Sequence, residues 1–147
     1  MSGAQAIHDW LALCNAMARY CRTLDTKDWA AFADVLTEDF VLDVSQGTNL
    51  PILRGRDAAL KMIRGSIETA KTSHQVHVPE IELHGDEARV IWAMQDRVVW
   101  GPDRASMTGY GHYHQRWVRR NGRWKLAESK LTRLHLDWEA PTASAVR

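Results

Sequence analysis

The spacing of hydrophobic residues changes once along this chain, near residue 74, and this change constrains the fold more than any other feature. Before that point apolar residues recur every three or four positions, as in amphipathic helices. After it they alternate, as in half-buried strands. We predict helices over residues 4–24, 27–36 and 58–70, a single strand over 40–44, and four long strands over 74–84, 87–100, 106–119 and 123–136.

Turn and cap signals support this division of the chain. Asn121-Gly122 separates two alternating runs and is typical of a tight hairpin. Pro79 cannot donate a ladder hydrogen bond, so the first long strand is predicted to lie at a sheet edge or to carry a bulge. Three side chains that can accept hydrogen bonds are the predicted N-caps of the helices: Ser2, Thr26 and Asp57.

Helices that precede an antiparallel meander indicate the α+β class. A strongly curved antiparallel sheet with helices over its concave face leaves an interior hollow, and such hollows are the usual ligand sites. A chain of 147 residues is predicted to form one domain over residues 1–147, with its core over about 4–138 and a loose tail over 139–147.

Composition argues against two classes of partner, nucleic acids and membranes. The formal net charge of +1 gives no electrostatic attraction to nucleic acid or to an anionic membrane. No stretch approaches the length of apolar residues that spans a membrane, and the first residues do not resemble a signal peptide. Cys14 and Cys21 lie about 10 Å apart along one predicted helix, which is too far for a disulfide. We therefore expect reduced thiols, a cytoplasmic location, and neither a nucleic-acid nor a membrane partner.

Asp25, where the first helix ends, and His74, where the first long strand begins, are the candidate chemical pair. His74 and His77 are three residues apart, so on a strand they face opposite sides and one of them at most points into the pocket. A carboxylate that accepts a hydrogen bond from one imidazole nitrogen supports the charge gained when the other nitrogen takes a proton. Spacing alone does not show that Asp25 and His74 meet, and a structural role stays open for each.

Asp96 and Tyr20 are further candidates for the pocket. Asp96 lies in an apolar row of its strand, where a buried carboxylate is costly unless it is paired. It is therefore either a functional group or the partner of a salt bridge with Arg97 or Arg116. Tyr20 could donate its phenol hydroxyl to a substrate oxygen, or it could be an ordinary core residue with a satisfied hydroxyl.

Tyr110, His112, His114 and Arg116 share one face of the third long strand. This face is predicted to be a polar pocket wall or an outer surface at a subunit contact. No ligand set of convincing spacing accompanies the histidines, so no metal is predicted. Phosphate loops and nucleophile turns are missing from the sequence as well, and no cofactor is predicted. The predicted substrate-binding side chains are Trp92, Met94, Tyr110, His112, Val44 and Met62.

Several stretches resemble SnoaL-like proteins of the nuclear transport factor 2-like superfamily. The similarity spans roughly residues 5–138. Within the superfamily the motifs are most similar to those of the bile-acid 7α-dehydratases, with looser similarity to scytalone dehydratases and hexachlorocyclohexane dehydrochlorinases. The motifs are Arg19-Tyr20-Cys21-Arg22-Thr23-Leu24-Asp25 with Trp29, His74-Gln75-Val76-His77-Val78-Pro79-Glu80-Ile81, Trp92 with Asp96, and Asn121-Gly122-Arg123-Trp124.

The resemblance implies a cone-shaped barrel whose three helices and curved sheet enclose one apolar pocket. It implies that Tyr20, Asp25, His74 and Asp96 form the polar cluster of that pocket, and it selects His74 over His77. The implied activity is that of a cofactor-independent, dehydratase-like lyase or isomerase. An Asp–His dyad would remove a proton next to a carbonyl of a hydrophobic polycyclic substrate, steroids included. Val44 departs from the pattern, since the bile-acid enzymes have a further pocket tyrosine there.

Relatives in this superfamily form dimers or trimers, so the resemblance implies a homo-oligomer, with a trimer favoured over a dimer. The alternative function is a non-catalytic small-molecule binding or assembly subunit on the same fold, since a fold does not fix a function. Isomerase, cyclase and epoxide-hydrolase chemistries stay open within the enzyme class. An Asp25–His74 contact inside a closed pocket would favour an enzyme, and exposure of either residue would favour binding or assembly.

Overall fold

The computed structural model describes residues 2–46 and 48–142, which form three helices and seven strands. The helices are α1 (Gly3–Asp25), α2 (Trp29–Val35) and α3 (Arg56–Ile67). The strands are β1 (Leu36–Asp43), β2 (Leu53–Arg54), β3 (Lys71–Val76), β4 (Glu80–His84), β5 (Glu87–Val99), β6 (Ser106–Arg120) and β7 (Arg123–Glu139). The predicted tail lies partly within β7, and its last residues, 143–147, lie outside the described part of the chain.

The strands form one curved sheet in the order β2-β1-β7-β6-β5-β3, and β4 also pairs with β5. Neighbours pair in the antiparallel sense, as predicted, with the exception of β1 and β7, which are parallel. A long crossover, and not a hairpin, joins β1 to β7, so nothing forces these two strands to be antiparallel. The prediction of α+β architecture with helices over a curved sheet is confirmed, and the sheet is mixed.

The strand predicted over residues 74–84 is two strands, β3 and β4, which lie one after the other along the same edge of β5. Pro79 separates them, because it has no N–H to continue the ladder. His77 extends the ladder beyond the end of β3 by donating its backbone N–H to the carbonyl of Ala93, at an N–O distance of 2.9 Å. The edge position expected from Pro79 is therefore confirmed.

The helix ends differ from prediction at two of the three caps. Ser2 caps α1 by accepting from the backbone N–H of Gln5. Thr26 does not cap α2, because its hydroxyl donates to a carbonyl at the end of α1, and Asp28 takes the N-cap position. Asp57 lies inside the first turn of α3, which begins one residue after Gly55. The φ angle of 94° at Gly55 is one that side-chain-bearing residues rarely adopt.

The apolar stripe of α1 packs against the concave face of the sheet and forms the main core. Leu13, Met17, Tyr20 and Leu24 follow one another at spacings of three and four residues, and each is buried. Register shifts in the β6–β7 pair after Tyr110 and after Arg116 add local bends, since a bulge increases strand twist. The curved sheet thus wraps around the helices and leaves a cavity between them.

Candidate active site

The structure brings Asp25 and His74 into direct contact at the edge of this cavity. Asp25 is the last residue of α1, and His74 lies in the middle of β3. The Nδ1 atom of His74 lies 2.7 Å from Oδ1 of Asp25, and the backbone N–H of His74 donates to Oδ2 at 2.9 Å. The His74 side chain is 9% exposed and the Asp25 side chain is 23% exposed, so neither is a freely solvated group. His77, on the same edge, is exposed.

The hydrogen bonds to Asp25 define its charge. Burial raises the pKa of this carboxyl, but hydrogen bonds from the His74 side chain, the His74 backbone and Thr72 outweigh that effect and hold the pKa below its ordinary value. Asp25 is therefore a carboxylate that accepts from Nδ1–H of His74. The other ring nitrogen, Nε2, carries the lone pair, which is the arrangement that a general base requires.

The cavity has a volume of about 420 Å³ and is lined mainly by apolar side chains. Its size lies within the range of small-molecule sites. Of the predicted site residues, it brings together Tyr20, Val44, Met62, His74 and Asp96. Asp25 lies behind His74 and reaches the cavity through it. A groove of about 610 Å³ on the outer face of the sheet is lined by charged side chains of both signs and is a separate feature.

Asp96 forms a two-pronged ion pair with Arg133, a residue that the sequence interpretation missed. Nη1 and Nη2 of Arg133 lie 2.5 and 2.9 Å from the two carboxylate oxygens of Asp96. The predicted partners bind elsewhere, because Arg97 pairs with Glu139 and Arg116 with Glu87 and Glu128. Both oxygens of Asp96 accept hydrogen bonds, so Asp96 is not free to act as a proton donor while this pair is formed.

A glycine makes room for the ion pair. Gly109 on β6 lies directly opposite Asp96 on β5, and Asp96 lies directly opposite His74 on β3. A Cβ atom at Gly109 would collide with the Arg133 guanidinium and the Asp96 carboxylate. The gap lets Arg133 reach across β6 from β7, so that the His74 imidazole and the Arg133 guanidinium lie in one row across the sheet.

Two phenols also contribute to the polar lining of the cavity. The rings of Tyr20 and Tyr113 meet edge to face with centroids 6.2 Å apart, and both line the cavity. Burial, followed by nearby negative groups, raises the pKa of Tyr20, and burial raises that of Tyr113. Neither hydroxyl makes a hydrogen bond to any other described residue, so both are neutral donors available to a ligand oxygen.

Tyr110 and His112 do not line the cavity, which corrects their predicted role in substrate binding. The inward positions of β6 are the odd-numbered ones, among them Gly109, Gly111 and Tyr113. Tyr110 stacks on His135 at the outer face, and His112 lies beside His114 there, with ring centroids 6.2 Å apart in both pairs. The two inward glycines hide the apolar alternation that would have shown which face is buried.

Trp92 and Met94 do face inward, but they lie in the core below the cavity and not in its wall. The Nε1–H of Trp92 donates to Oε1 of Gln115 at 2.9 Å, and the Trp92 side chain is fully enclosed. The sulfur of Met94 lies 3.8 Å from Nη1 of Arg133. Met94 thus supports the guanidinium from below. In the described part of the chain, no group of three or more His, Cys, Asp or Glu side chains is arranged to hold a metal ion.

The family model of the SnoaL-like domain matches residues 5–130. The chain belongs to the SnoaL-like domain family. No curated protein matches it. None of the helices in the described segments is long and apolar enough to cross a bilayer.

Solved structures similar to this SnoaL-like domain share its fold over nearly the whole chain. A candidate scytalone dehydratase from Novosphingobium aromaticivorans is 23% identical, with a TM-score of 0.83 and coverage of 92% of this chain and 91% of the other. A candidate aromatic ring hydroxylase from the same organism is 26% identical, with a TM-score of 0.81 and coverage of 90% and 94%. A hexachlorocyclohexane dehydrochlorinase from Novosphingobium barchaimii is 16% identical, with a TM-score of 0.79 and 95% coverage of both chains.

Proposed function

We propose that this SnoaL-like domain is a cofactor-independent, dehydratase-type lyase or isomerase. In this proposal it removes a proton next to a carbonyl of a hydrophobic polycyclic substrate, steroids included. The observation that carries the proposal is the Asp25–His74 contact, at 2.7 Å, on the wall of an apolar cavity. A non-catalytic binding or assembly subunit has no use for an oriented imidazole held by a carboxylate inside such a cavity.

His74 acts as the general base of the proposed reaction. Its Nε2 atom accepts the proton as the C–H bond breaks, and Asp25 stabilises the imidazolium that forms. A positioned base accounts for roughly 10²–10⁴-fold of the rate. The remainder must come from stabilising the enolate oxygen with hydrogen-bond donors in the apolar cavity.

Tyr20, Tyr113 and Arg133 are the donors proposed for that oxygen. All three line the same cavity as His74. Asp96 serves as the residue that positions Arg133, because both of its oxygens are engaged by the guanidinium. In an elimination, the C–O bond breaks and the leaving hydroxyl takes up a proton from the imidazolium or from Tyr20, which produces water. In an isomerisation, the proton returns to another carbon of the substrate.

The cavity and the fold neighbours support a large apolar substrate. Trp100 and Trp138 stack with ring centroids 6.0 Å apart, and both line the cavity, so they offer flat surfaces to a fused-ring molecule. Two of the similar structures carry the names of elimination enzymes, a scytalone dehydratase and a hexachlorocyclohexane dehydrochlorinase. Both names belong to reactions that break a C–H bond and expel a leaving group.

We also propose that copies of the chain associate, with a trimer favoured over a dimer, and that the protein works in the cytoplasm. The outer groove carries acidic and basic side chains together, which suits contact with a second copy of the same surface. Both cysteines are free thiols, which suits a reducing compartment.

The proposal is tested by comparing His74→Ala with the matched control His77→Ala on a panel of 3-oxo steroids and other enones. Both histidines lie on the same sheet edge, but only His74 lines the cavity. We expect His74→Ala to lower kcat/KM by roughly 10²–10⁴-fold and to retain the fold, while His77→Ala retains full turnover. Near-normal turnover in His74→Ala would exclude this mechanism. Ligand-induced thermal stabilisation without turnover in the wild type would favour a binding protein.

A further inference from the structure

A chain of hydrogen bonds continues from the Asp25–His74 pair to the outside of the site. Nζ of Lys27 lies 2.6 Å from Oγ1 of Thr72, and Oγ1 of Thr72 lies 2.9 Å from Oδ1 of Asp25. The same Oδ1 atom accepts from Nδ1 of His74 at 2.7 Å. An ammonium, a hydroxyl, a carboxylate and an imidazole thus form one connected series.

The two charged members, the Lys27 ammonium and the Asp25 carboxylate, set the direction of every hydrogen bond in this series. A lysine ammonium donates and never accepts, whereas the Thr72 hydroxyl has a single proton. Because Thr72 accepts from Lys27, its proton is free to point at Asp25. The carboxylate then receives Thr72 O–H, His74 Nδ1–H and the His74 backbone N–H. This arrangement leaves Nε2 of His74 as the unprotonated nitrogen.

The backbone at Lys27 is unusual for a residue with a side chain. Its φ angle is 59°, just after the end of α1, where glycine is the residue most often found. Nζ also donates to the carbonyl of Leu24 at 3.3 Å, which is an ordinary way to cap a helix. Glycine would adopt this φ angle with less strain, so the presence of lysine here indicates that its side chain has a role.

The charges around His74 are balanced in two pairs. Lys27 lies next to Asp25 through Thr72, and Arg133 lies against Asp96. Removal of the Lys27 charge would leave Asp25 as an uncompensated anion beside the imidazole, and this favours the imidazolium. The titratable and charged groups that face His74 from the surrounding elements are Asp25 and Tyr20 of α1, Lys27 of the following loop, Asp96 of β5, Tyr113 of β6 and Arg133 of β7.

We propose that Lys27 and Thr72 are positioning residues of the Asp25–His74 pair. Thr72 holds the Asp25 carboxylate where it accepts Nδ1–H of His74, and the charge of Lys27 extends the pH range over which the other imidazole nitrogen stays unprotonated. The catalytic meaning of this inference rests on the proposed function, whereas its structural content does not. It therefore has a readout that needs no substrate.

The test is ¹⁵N NMR of the His74 imidazole in the full chain between pH 5 and 9, with the signal assigned by its loss in His74→Gln. We expect the wild type to show the Nδ1–H tautomer. Lys27→Met should raise the His74 titration midpoint by about half a pH unit or more, and Lys27→Arg should restore it. Thr72→Val removes the hydroxyl that joins Lys27 to Asp25, so it should raise the His74 titration midpoint in the same direction as Lys27→Met, and Thr72→Ser should restore it.

Lys27→Gly separates positioning from stability. Glycine removes the backbone strain at φ 59°, so the thermal midpoint of this variant should equal or exceed that of the wild type. Its His74 titration midpoint should nevertheless rise as in Lys27→Met. An unchanged His74 titration midpoint in Lys27→Met, Lys27→Gly and Thr72→Val would overturn the inference and leave Lys27 as a helix cap. If the His74 titration shifts in these variants but the wild type turns over no enone, the proposed function is wrong and the positioning role of Lys27 and Thr72 stands.

Discussion

Helix α1 carries a shielded carboxylate near each end, and the two have different partners. Asp9, in the first turns, is fully buried, and its Oδ2 atom lies 2.9 Å from Nη2 of Arg119. That guanidinium also lies over the ring of Trp124, 4.5 Å from its centroid. Asp25, at the last residue, contacts an imidazole that lines a cavity. One carboxylate is sealed against a permanent cation, and the other is joined to a group that can gain and lose a proton.

The two carboxylates differ in their partners and not in the direction of their pKa shifts. The hydrogen bond from Arg119 holds the pKa of Asp9 below its ordinary value, and the bonds from His74 and Thr72 do the same for Asp25. Arginine stays charged at every accessible pH, so the Asp9 pair cannot move a proton. Histidine titrates near neutrality, so the Asp25 pair can.

Asp25→Asn should have the largest effect on turnover. The amide can donate as well as accept, so it no longer forces the proton onto Nδ1 of His74. We expect kcat/KM to fall by about 10²–10⁴-fold with little change in thermal midpoint, measured by steady-state kinetics and calorimetry. A variant with wild-type turnover would show that Asp25 is as structural as Asp9.

Asp9→Ala should have the largest effect on stability. It leaves Arg119 half-buried with Asp86 as its remaining acidic partner. We expect the free energy of unfolding to fall by about 3 kcal/mol, the lower end for breaking a buried ion pair, measured by urea denaturation. Turnover per folded molecule should be unchanged. If the free energy of unfolding falls by less than about 1 kcal/mol, or if turnover per folded molecule falls, Asp9 does not differ from Asp25 in the way expected here.

Asp34→Asn should have the smallest effect, a change in the free energy of unfolding that appears only at acidic pH. Hydrogen bonds from Lys125 and then Arg123 lower the pKa of Asp34 to about 2. Since the folded-state pKa lies below the unfolded one, this stabilisation is present above about pH 4 and is lost as the pH falls toward 2. The side chain is 41% exposed, so we expect no more than about 1 kcal/mol. Asp34→Asn should flatten the curve of unfolding free energy between pH 4 and 2, and an unaltered slope would contradict this.

The sequence predicted the three helices and the long strands, but not β2, the division of residues 74–84 into two strands, or all of the candidate site. The alternation of β5 is a strong periodic signal, and its buried side was predicted correctly. On α1 the spacing predicts an apolar stripe of Ile7, Leu11, Cys14, Met17, Ala18, Cys21 and Leu24, but Ile7, Leu11 and Ala18 are exposed. The buried face runs instead through Asp9, Leu13, Met17, Tyr20 and Leu24. The Asp25–His74 pair came from family resemblance, because no spacing rule joins residues on a helix end and a distant strand. The contact itself is visible only in three dimensions.

The errors cluster where backbone irregularity replaces side-chain pattern. On β6 the inward Gly109 and Gly111 carry no apolar signal, so the outward Tyr110 and His112 were taken as the pocket face. On β7 a register shift near Arg133 interrupts the alternation and conceals an inward cation. A usable signal did exist, since a carboxylate in the apolar row of β5 requires a partner somewhere.

The parallel pairing of β1 with β7 has a consequence for the order in which the chain assembles. Apart from the two-residue β2, the sheet neighbour of β1 is β7, and Val41 is paired with Glu128. During synthesis β1 therefore cannot pair until β7 has been made, and pairing between strands so distant in sequence is slow. Leu42 and Val44 line the cavity from this late-docking segment. A nascent chain thus contains both members of the dyad long before it has a chamber in which they could act.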